Sequence, residues 1–341
     1  MQTMAKRIAI NGFGRIGRLT FRNLLNIEGI EVVAINDLTD NNTLAHLLKY
    51  DSAQGPFEGT VEATDEHLIV NGKSIVATSE RNPENLGWAA LEVDVVLECT
   101  GIFRTKEKAG LHLKAGAKDV VISAPAKGDG VQTIVLGVND DQLDRRHNVF
   151  SNASCTTNCF APVAKILNDN WGVVGGSMTT IHAYTSDQRI QDAPHRDLRR
   201  ARAAAFNIVP TSTGAAIAVG KVVPEIAGKF SAIAVRVPVI TGSMIEVNCV
   251  LDKAATVEEI NAKFKEMSEG SMKGYLHYAT DPLVSTDIIR SSYSSIFDSL
   301  MTSVSGNFVK VVSWYDNEAG YSARLADLTA MIANVPAPAL S

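Results

Sequence analysis

No window of this chain reaches the roughly 18 uninterrupted apolar residues that a membrane-crossing helix needs. The opening run Met1-Gln2-Thr3-Met4-Ala5-Lys6-Arg7 carries no apolar export core and leads straight into a candidate strand. Cysteine is scarce: Cys99, Cys155, Cys159 and Cys249 are the only 4 in 341 residues. They show no metal-type pairing and follow no secretory segment, so neither a disulfide framework nor a metal site is expected, and the setting should be a reducing cytoplasm. Basic charge is not in excess either. The 32 Lys and Arg against 37 Asp and Glu leave a net charge of −5, the wrong sign for a protein whose primary partner is nucleic acid. Only the cluster Arg196, Arg199, Arg200 and Arg202 runs against that trend. Repeats and low-complexity segments are also missing. What remains is an ordinary globular composition, 45% hydrophobic and 20% charged, long enough for two domains and a large core.

The first candidate site is at the start. Arg7-Ile8-Ala9-Ile10-Asn11 reads as a short apolar strand, Gly12-Phe13-Gly14-Arg15-Ile16-Gly17 follows, and Arg18 to Leu25 reads as a helix. Here G-x-G-x-x-G stands between strand and helix, where Gly12, Gly14 and Gly17 allow a tight turn, close approach to a pyrophosphate and close helix packing. Asp37 ends the next apolar strand, Val32 to Asn36. A carboxylate there accepts hydrogen bonds from a ribose 2′-OH and repels a 2′-phosphate, which favours NAD over NADP. Further strands are expected at Val93 to Cys99 and Val120 to Ser123, with a hairpin at 66–77 turned by Asn71-Gly72. This alternation predicts an α/β fold with a doubly wound parallel sheet, a Rossmann-type dinucleotide-binding domain. Thr100-Gly101 and Ser123-Ala124-Pro125, each following a strand, are expected on the nicotinamide side.

The second candidate is Ser154-Cys155-Thr156-Thr157-Asn158-Cys159, together with Thr180-Ile181-His182-Ala183-Tyr184-Thr185. Apolar spacing over Thr156 to Trp171 predicts a helix with Cys155 at its mouth, and Pro162 predicts a kink or bent first turn. A thiol becomes nucleophilic as thiolate, which helix-start N–H groups or a neighbouring imidazolium stabilise. Taken alone, such a cysteine reads more simply as a small buried residue. Cys159, four positions on, is read as core.

Past Cys155 the strands lengthen, at Ser177 to His182, Ile233 to Val239, Ile245 to Leu251 and Phe308 to Trp314. They predict a second, α+β catalytic domain with a mixed or antiparallel sheet. Domains are expected at 1–153, joined by a C-terminal helix at 319–341, and at 154–318, with ligands between them. Thr211-Ser212-Thr213-Gly214 opens a helix from Ala215 to Val223, gathering hydroxyls and N–H groups. Arg236, inside the apolar strand Ala232 to Pro238, is expected to meet a buried anion or carboxylate. With Ser154, Thr156, Thr185 and Arg200, these elements suit two phosphates near one thiol.

Asn11 to Arg18, Ser151 to Cys159, His182 to Thr185, Asp197 to Ala205, Pro210 to Ala216 and Trp314 to Glu318 resemble phosphorylating glyceraldehyde-3-phosphate dehydrogenase of the NAD-dependent type I, over nearly the whole chain. The resemblance implies that Cys155 attacks an aldehyde and that His182 holds the thiolate and then acts as base. It implies a site for attacking inorganic phosphate at Ser154, Thr156, Arg200, Thr213 and Gly214. A site for the phosphate of glyceraldehyde 3-phosphate follows at Thr185 and Arg236. NAD would be held at Gly12, Gly14, Arg15, Ile16, Gly17, Asp37, Arg81, Ser123 and Asn317. Ser186 to Arg202 resembles a loop that reaches a neighbouring subunit's cofactor, in a homotetramer. Three stretches depart from the pattern: Ala193-Pro194, Pro238 to Glu246, and Asp51 to Phe57. Erythrose-4-phosphate dehydrogenase and an NADP-linked anabolic form remain as alternatives, with a mainly partner-binding protein as a third.

Overall fold

The computed structural model describes residues 5–335. Contacts divide the chain into two units. One holds residues up to Ile134, Gln142–Ala153 and the stretch from Ser322 on; the other holds Val135–Asp141 and Ser154–Tyr321.

In the first unit the strands are β1 (Lys6–Asn11), β2 (Ile30–Asn36), β3 (Val61–Ala63), β4 (His67–Val70), β5 (Lys73–Thr78), β6 (Val95–Glu98), β7 (Asp119–Ile122), β8 (Gln132–Thr133) and β9 (Val149–Ser151). The helices between them are α1 (Arg15–Leu24), α2 (Asn41–Lys49), α3 (Lys106–Ala109) and α4 (Leu111–Lys114). One nine-stranded sheet runs in the order β3-β4-β5-β2-β1-β6-β7-β9-β8. It is parallel from β5 to β8, with β3 and β4 added antiparallel at one edge. The central strands are continuous apolar runs because both faces are covered, and Ile8 to Ile10, Val95 to Leu97 and Val120 to Ile122 are fully buried. The edge hairpin turns where expected, with Asn71 at φ 52 and Gly72 at φ 76, the left-handed pair that a tight two-residue turn demands.

Helix α1 begins at Arg15, three residues before the expected start, because Gly17 lies inside the helix instead of ending the loop. A Cβ on Gly17 would sit 2.2 Å from the Gly12 carbonyl oxygen. Glycine is needed there so that helix and turn can touch.

In the second unit the strands are β10 (Val173–Ala183), β11 (Val209–Ser212), β12 (Phe230–Val237), β13 (Ser243–Leu251), β14 (Leu276–Ala279), β15 (Ser295–Asp298), β16 (Ser303–Ser305) and β17 (Phe308–Tyr315). Its helices are α5 (Cys155–Trp171), α6 (Ala215–Val222) and α7 (Val257–Glu269); α8 (Ala319–Asn334) ends the described chain. The expected terminal helix extends to 341, so its last residues lie outside the described residues, as do Met1 to Met4. The second sheet is mixed, with the path β11-β12-β10-β13-β17-β15-β14 and β16 paired to β17. Along β13 the side chains of Ser243, Ile245, Val247, Cys249 and Leu251 are buried in strict alternation. Helix α5 packs across β10, β13, β15 and β17. It continues through Pro162, and Cys159 is wholly buried against Ser295, with Sγ 3.4 Å from Oγ. Among the described residues, no helix is long and apolar enough to cross a membrane.

Candidate active site

In the first unit the glycine turn is held from several sides. The Gly12 N–H donates to the Asn36 carbonyl at 2.8 Å, Phe13 N–H donates to Asp37 Oδ2 at 2.7 Å, and Arg18 Nη1 donates to Phe13 O at 2.7 Å. Gly12 takes φ +94, and a Cβ there would stand 2.8 Å from Thr100 N. Gly14, at the N-cap of α1, faces open space, with no atom within 4 Å of where its Cβ would be. The turn thus leaves its middle glycine bare next to the first N–H groups of a helix, a cradle for a pyrophosphate. Arg15 pairs with Asp51, whose carboxylate is buried and also accepts from Ala53 N at 3.0 Å and Gln54 N at 2.9 Å. Asp51, in a stretch that departs from the family pattern, therefore serves to hold Arg15. Ile16 is half-buried, Arg81 is exposed, and Ser123 N donates to Glu98 O at 2.9 Å.

In the second unit Ser154 caps α5, its Oγ accepting from Thr157 N at 3.1 Å. Ala153, immediately before, takes φ 55, a left-handed conformation that is strained for alanine. Cys155 is the first helical residue, so its thiol stands at the positive end of α5. His182 lies near the end of β10, with Nε2 3.5 Å from Cys155 Sγ. In the parallel pairing of β10 with β12, His182 is opposite Arg236. Arg236 Nη1 is 2.7 Å from His182 Nδ1 and donates to Ala183 O at 3.0 Å. Of the buried anion or carboxylate expected for Arg236, no carboxylate among the described residues is its hydrogen-bond partner: within the chain it meets an imidazole and a carbonyl, because its register partner on β10 is His182.

Burial pushes the Cys155 thiol up, opposed by Arg236 and then by hydrogen bonds at Thr156. Burial and the Arg236 guanidinium push His182 down to about 3 from the ordinary 6.5. The imidazolium expected beside the thiol is therefore corrected to a neutral imidazole, and the cation drawing on the thiol is Arg236. Burial pushes the Cys159 thiol up to about 12 with no cation opposing it, as befits an inert core residue.

The anion-binding elements form a second group. Arg200 Nε donates to Thr211 Oγ1 at 2.8 Å and Nη2 donates to Ser212 O at 3.2 Å, while Nη1 pairs with Asp187. This brings Arg200 to the corner where Thr213 and Gly214 start α6, with Thr213 Oγ1 accepting from Ala215 N at 3.3 Å. Arg200 also acts electrostatically on both His182 and Arg236. Thr185 follows β10, its N–H donating to buried Gln188 at 3.3 Å. Asn317 Oδ1 accepts from Ser243 Oγ at 2.9 Å and Gly242 N at 3.2 Å, which sets the amide's orientation.

The family model described as "Glyceraldehyde 3-phosphate dehydrogenase, C-terminal domain" matches residues 154–317, and its "NAD binding domain" matches residues 6–106. The chain belongs to the glyceraldehyde-3-phosphate dehydrogenase family. It is 56% identical over 333 residues to glyceraldehyde-3-phosphate dehydrogenase of Geobacillus stearothermophilus, covering 97% of this chain and 99% of the relative. The relative from Mycobacterium avium is 55% identical over 336 residues, 96% and 99% of the two chains. Glyceraldehyde-3-phosphate dehydrogenase 1 of Bacillus subtilis (strain 168) is 54% identical over 332 residues, 97% and 99%. NAD is the cofactor that the family's first domain takes, and the bare Gly14 at a helix start fits its pyrophosphate.

Thr180 and Tyr315 fall within the sequence motifs, but neither has a role legible there. The buried Tyr315 hydroxyl lies 2.8 Å from both Thr156 Oγ1 and Thr180 Oγ1, and its ring stands edge-on to His182 at 6.0 Å. In sequence Tyr315 is a phenol closing a strand that also carries Lys310 and Ser313, with nothing to mark its hydroxyl as a partner of Thr156.

The neutral His182 has a consequence for stability. The unfolded chain takes up a proton near 6.5 that the folded site refuses until about 3. Stability therefore falls as pH drops through that window, by about 1 kcal/mol per pH unit. His182→Gln should lose less stability than wild type between pH 7 and pH 5 in urea denaturation. Equal losses in the two proteins would show that His182 titrates normally.

Proposed function

We propose that the protein oxidises D-glyceraldehyde 3-phosphate with NAD and inorganic phosphate, giving 1,3-bisphosphoglycerate. The observation that carries this reading is Cys155 Sγ at a helix start, 3.5 Å from the Nε2 of a buried neutral histidine. His182 Nδ1 lies 2.6 Å from Ala183 O and 2.7 Å from Arg236 Nη1, which fixes the ring so that its Nε2 faces the thiol. As sulfur adds to the aldehyde carbon, the thiol proton passes through His182 to the aldehyde oxygen, forming a hemithioacetal. His182 then takes the hydroxyl proton while the C–H bond breaks, leaving a thioester on Cys155. NAD, when bound, supplies the acceptor for that hydride. Phosphate oxygen attacks the thioester carbon, the C–S bond breaks, and the sulfur regains its proton from His182.

Thr185 and Arg236 suit the phosphate carried by the aldehyde; Ser154, Thr156, Arg200, Thr213 and Gly214 suit the attacking one. Gly12, Gly14, Arg15, Ile16, Gly17, Asp37, Arg81, Ser123 and Asn317 are proposed for the cofactor, with Asp37 favouring NAD over NADP. The same reading makes residues 1–153 with 319–341 the NAD-binding domain and 154–318 the catalytic domain. A homotetramer is supported by large apolar side chains exposed on the single chain, among them Ile190, Leu198, Phe206 and Ile208. The four cysteines are free, which suits a reducing cytoplasm.

The test is NAD reduction with glyceraldehyde 3-phosphate, with and without inorganic phosphate, repeated with NADP and with erythrose 4-phosphate. Phosphate-dependent turnover that prefers NAD and the triose is expected. Turnover confined to NADP, or to erythrose 4-phosphate, would keep the thiol chemistry and replace the assignment.

A further inference from the structure

Next to the glycine turn lies a buried carboxylate, Glu98, whose ring partner is a histidine. Glu98 ends β6 and is fully buried, as is His112 on α4; Asn11 and Asn36, which end β1 and β2, are nearly so. Glu98 Oε1 accepts from the Thr100 N–H at 2.8 Å and from the Thr100 hydroxyl. Glu98 Oε2 accepts from Asn11 Nδ2 at 2.6 Å and lies 3.0 Å from His112 Nε2. The protonation of His112 follows from its other nitrogen. Nδ1 lies 3.1 Å from Trp88 Nε1, and an indole N–H can only donate. His112 is therefore a neutral ring whose proton sits on Nε2 and is donated to Glu98. The carboxylate thus receives four donors, filling its acceptor sites.

The chain of bonds continues sideways. Asn11 Oδ1 accepts from Asn36 Nδ2 at 2.7 Å, and Asn36 Oδ1 accepts from Glu80 N at 2.8 Å and Thr78 Oγ1 at 2.9 Å. The network therefore ties together the carboxyl ends of β5, β2, β1 and β6, four neighbours in the sheet. Ligands of parallel sheets bind at that end. Two of the groups gripped by Glu98 flank the turn itself: Asn11 directly precedes Gly12, and Thr100 N stands 2.8 Å from where a Gly12 Cβ would be.

We propose that Glu98, oriented by His112, is a positioning residue for the dinucleotide: by holding Asn11 and Thr100 it fixes the glycine turn that receives the pyrophosphate and the nicotinamide half. A glutamine cannot do this. It has one oxygen to accept with, and its NH2 group would face donors that need an acceptor. Burying such unmatched donors forces Thr100 or Asn11 to shift away, and the turn shifts with them.

The inference rests on NAD being the ligand, so the experiment separates the two. NAD and adenosine binding are titrated for wild type, Glu98→Gln, His112→Gln and His112→Leu, with the rate of Cys155 alkylation as a control on the second unit. Glu98→Gln should weaken NAD by about tenfold or more, leave adenosine, which carries the ribose for Asp37 and no phosphate for the turn, nearly unchanged, and leave alkylation unchanged. Its KM for NAD should rise more than kcat falls. His112→Gln, which keeps an N–H for Glu98, should bind NAD closer to wild type than His112→Leu does. That comparison also decides the matter if Glu98→Gln does not fold. NAD affinity unchanged in these variants, or NAD and adenosine weakened alike, would overturn the positioning role. A wild-type protein that binds no NAD would overturn the cofactor reading itself.

Discussion

Cys155→Ser should lose oxidation of glyceraldehyde 3-phosphate by roughly four orders of magnitude or more while its NAD affinity stays near that of wild type. A serine hydroxyl at the head of α5 is far harder to deprotonate than a thiol and a weaker nucleophile, so it cannot take over the attack on the aldehyde. The residues proposed for the cofactor turn are held by Asn36, Asp37, Arg18 and Glu98, none of which touches the thiol. Steady-state turnover with an NAD titration checks both halves of the statement. Loss of NAD binding together with activity would mean that the thiol and the cofactor turn are not separable functions.

Asp37→Ala should move the NAD/NADP preference in kcat/KM by at least about tenfold toward NADP, since a unit charge pair at 4 Å is worth about 1 to 4 kcal/mol between water and a protein surface. Asp37 Oδ2 accepts from Phe13 N at 2.7 Å and Oδ1 from Thr39 N at 2.9 Å. Each oxygen keeps a second acceptor site for a ribose hydroxyl. The same substitution frees the Phe13 N–H, so NAD should also bind more weakly in absolute terms. A fall in both cofactors at constant ratio would leave Asp37 with the task of pinning the turn and remove it from cofactor selection.

The parts of the molecule that were legible in sequence are those whose chemistry is local. The glycine turn, the Ser154 cap and the Asn71-Gly72 hairpin each bind their own neighbours within a few residues, and short motifs record such bonds. Apolar periodicity likewise places most strands, because burial on both faces leaves an unbroken run. In sequence the start of α1 is placed late because glycine disfavours a helix interior, whereas at Gly17 the Gly12 carbonyl occupies the space a Cβ would take. Sequence leaves the partner of Arg236 open between an anion and a carboxylate because strand register, which sets it opposite His182, leaves no mark in either strand alone. The Glu98 network and the Tyr315 hydroxyl stayed invisible for a related reason: buried polar side chains find partners across the fold, and no period links Glu98 to His112 or Thr156 to Tyr315.

Those separations bear on how the protein comes to life. Cys155 and His182 are 27 residues apart, His182 and Arg236 54, and Thr156 and Tyr315 159. His182 sits on a long strand whose parallel partner arrives only after β11 and α6 have been laid down, and the phenol behind it comes with one of the last strands. Closing such distant pairings is the slow part of building a sheet. A nascent or half-refolded chain can therefore display helix α5 with its cysteine while still lacking the base beside it. Catalytic competence becomes a late milestone of folding, reached when the last strands dock.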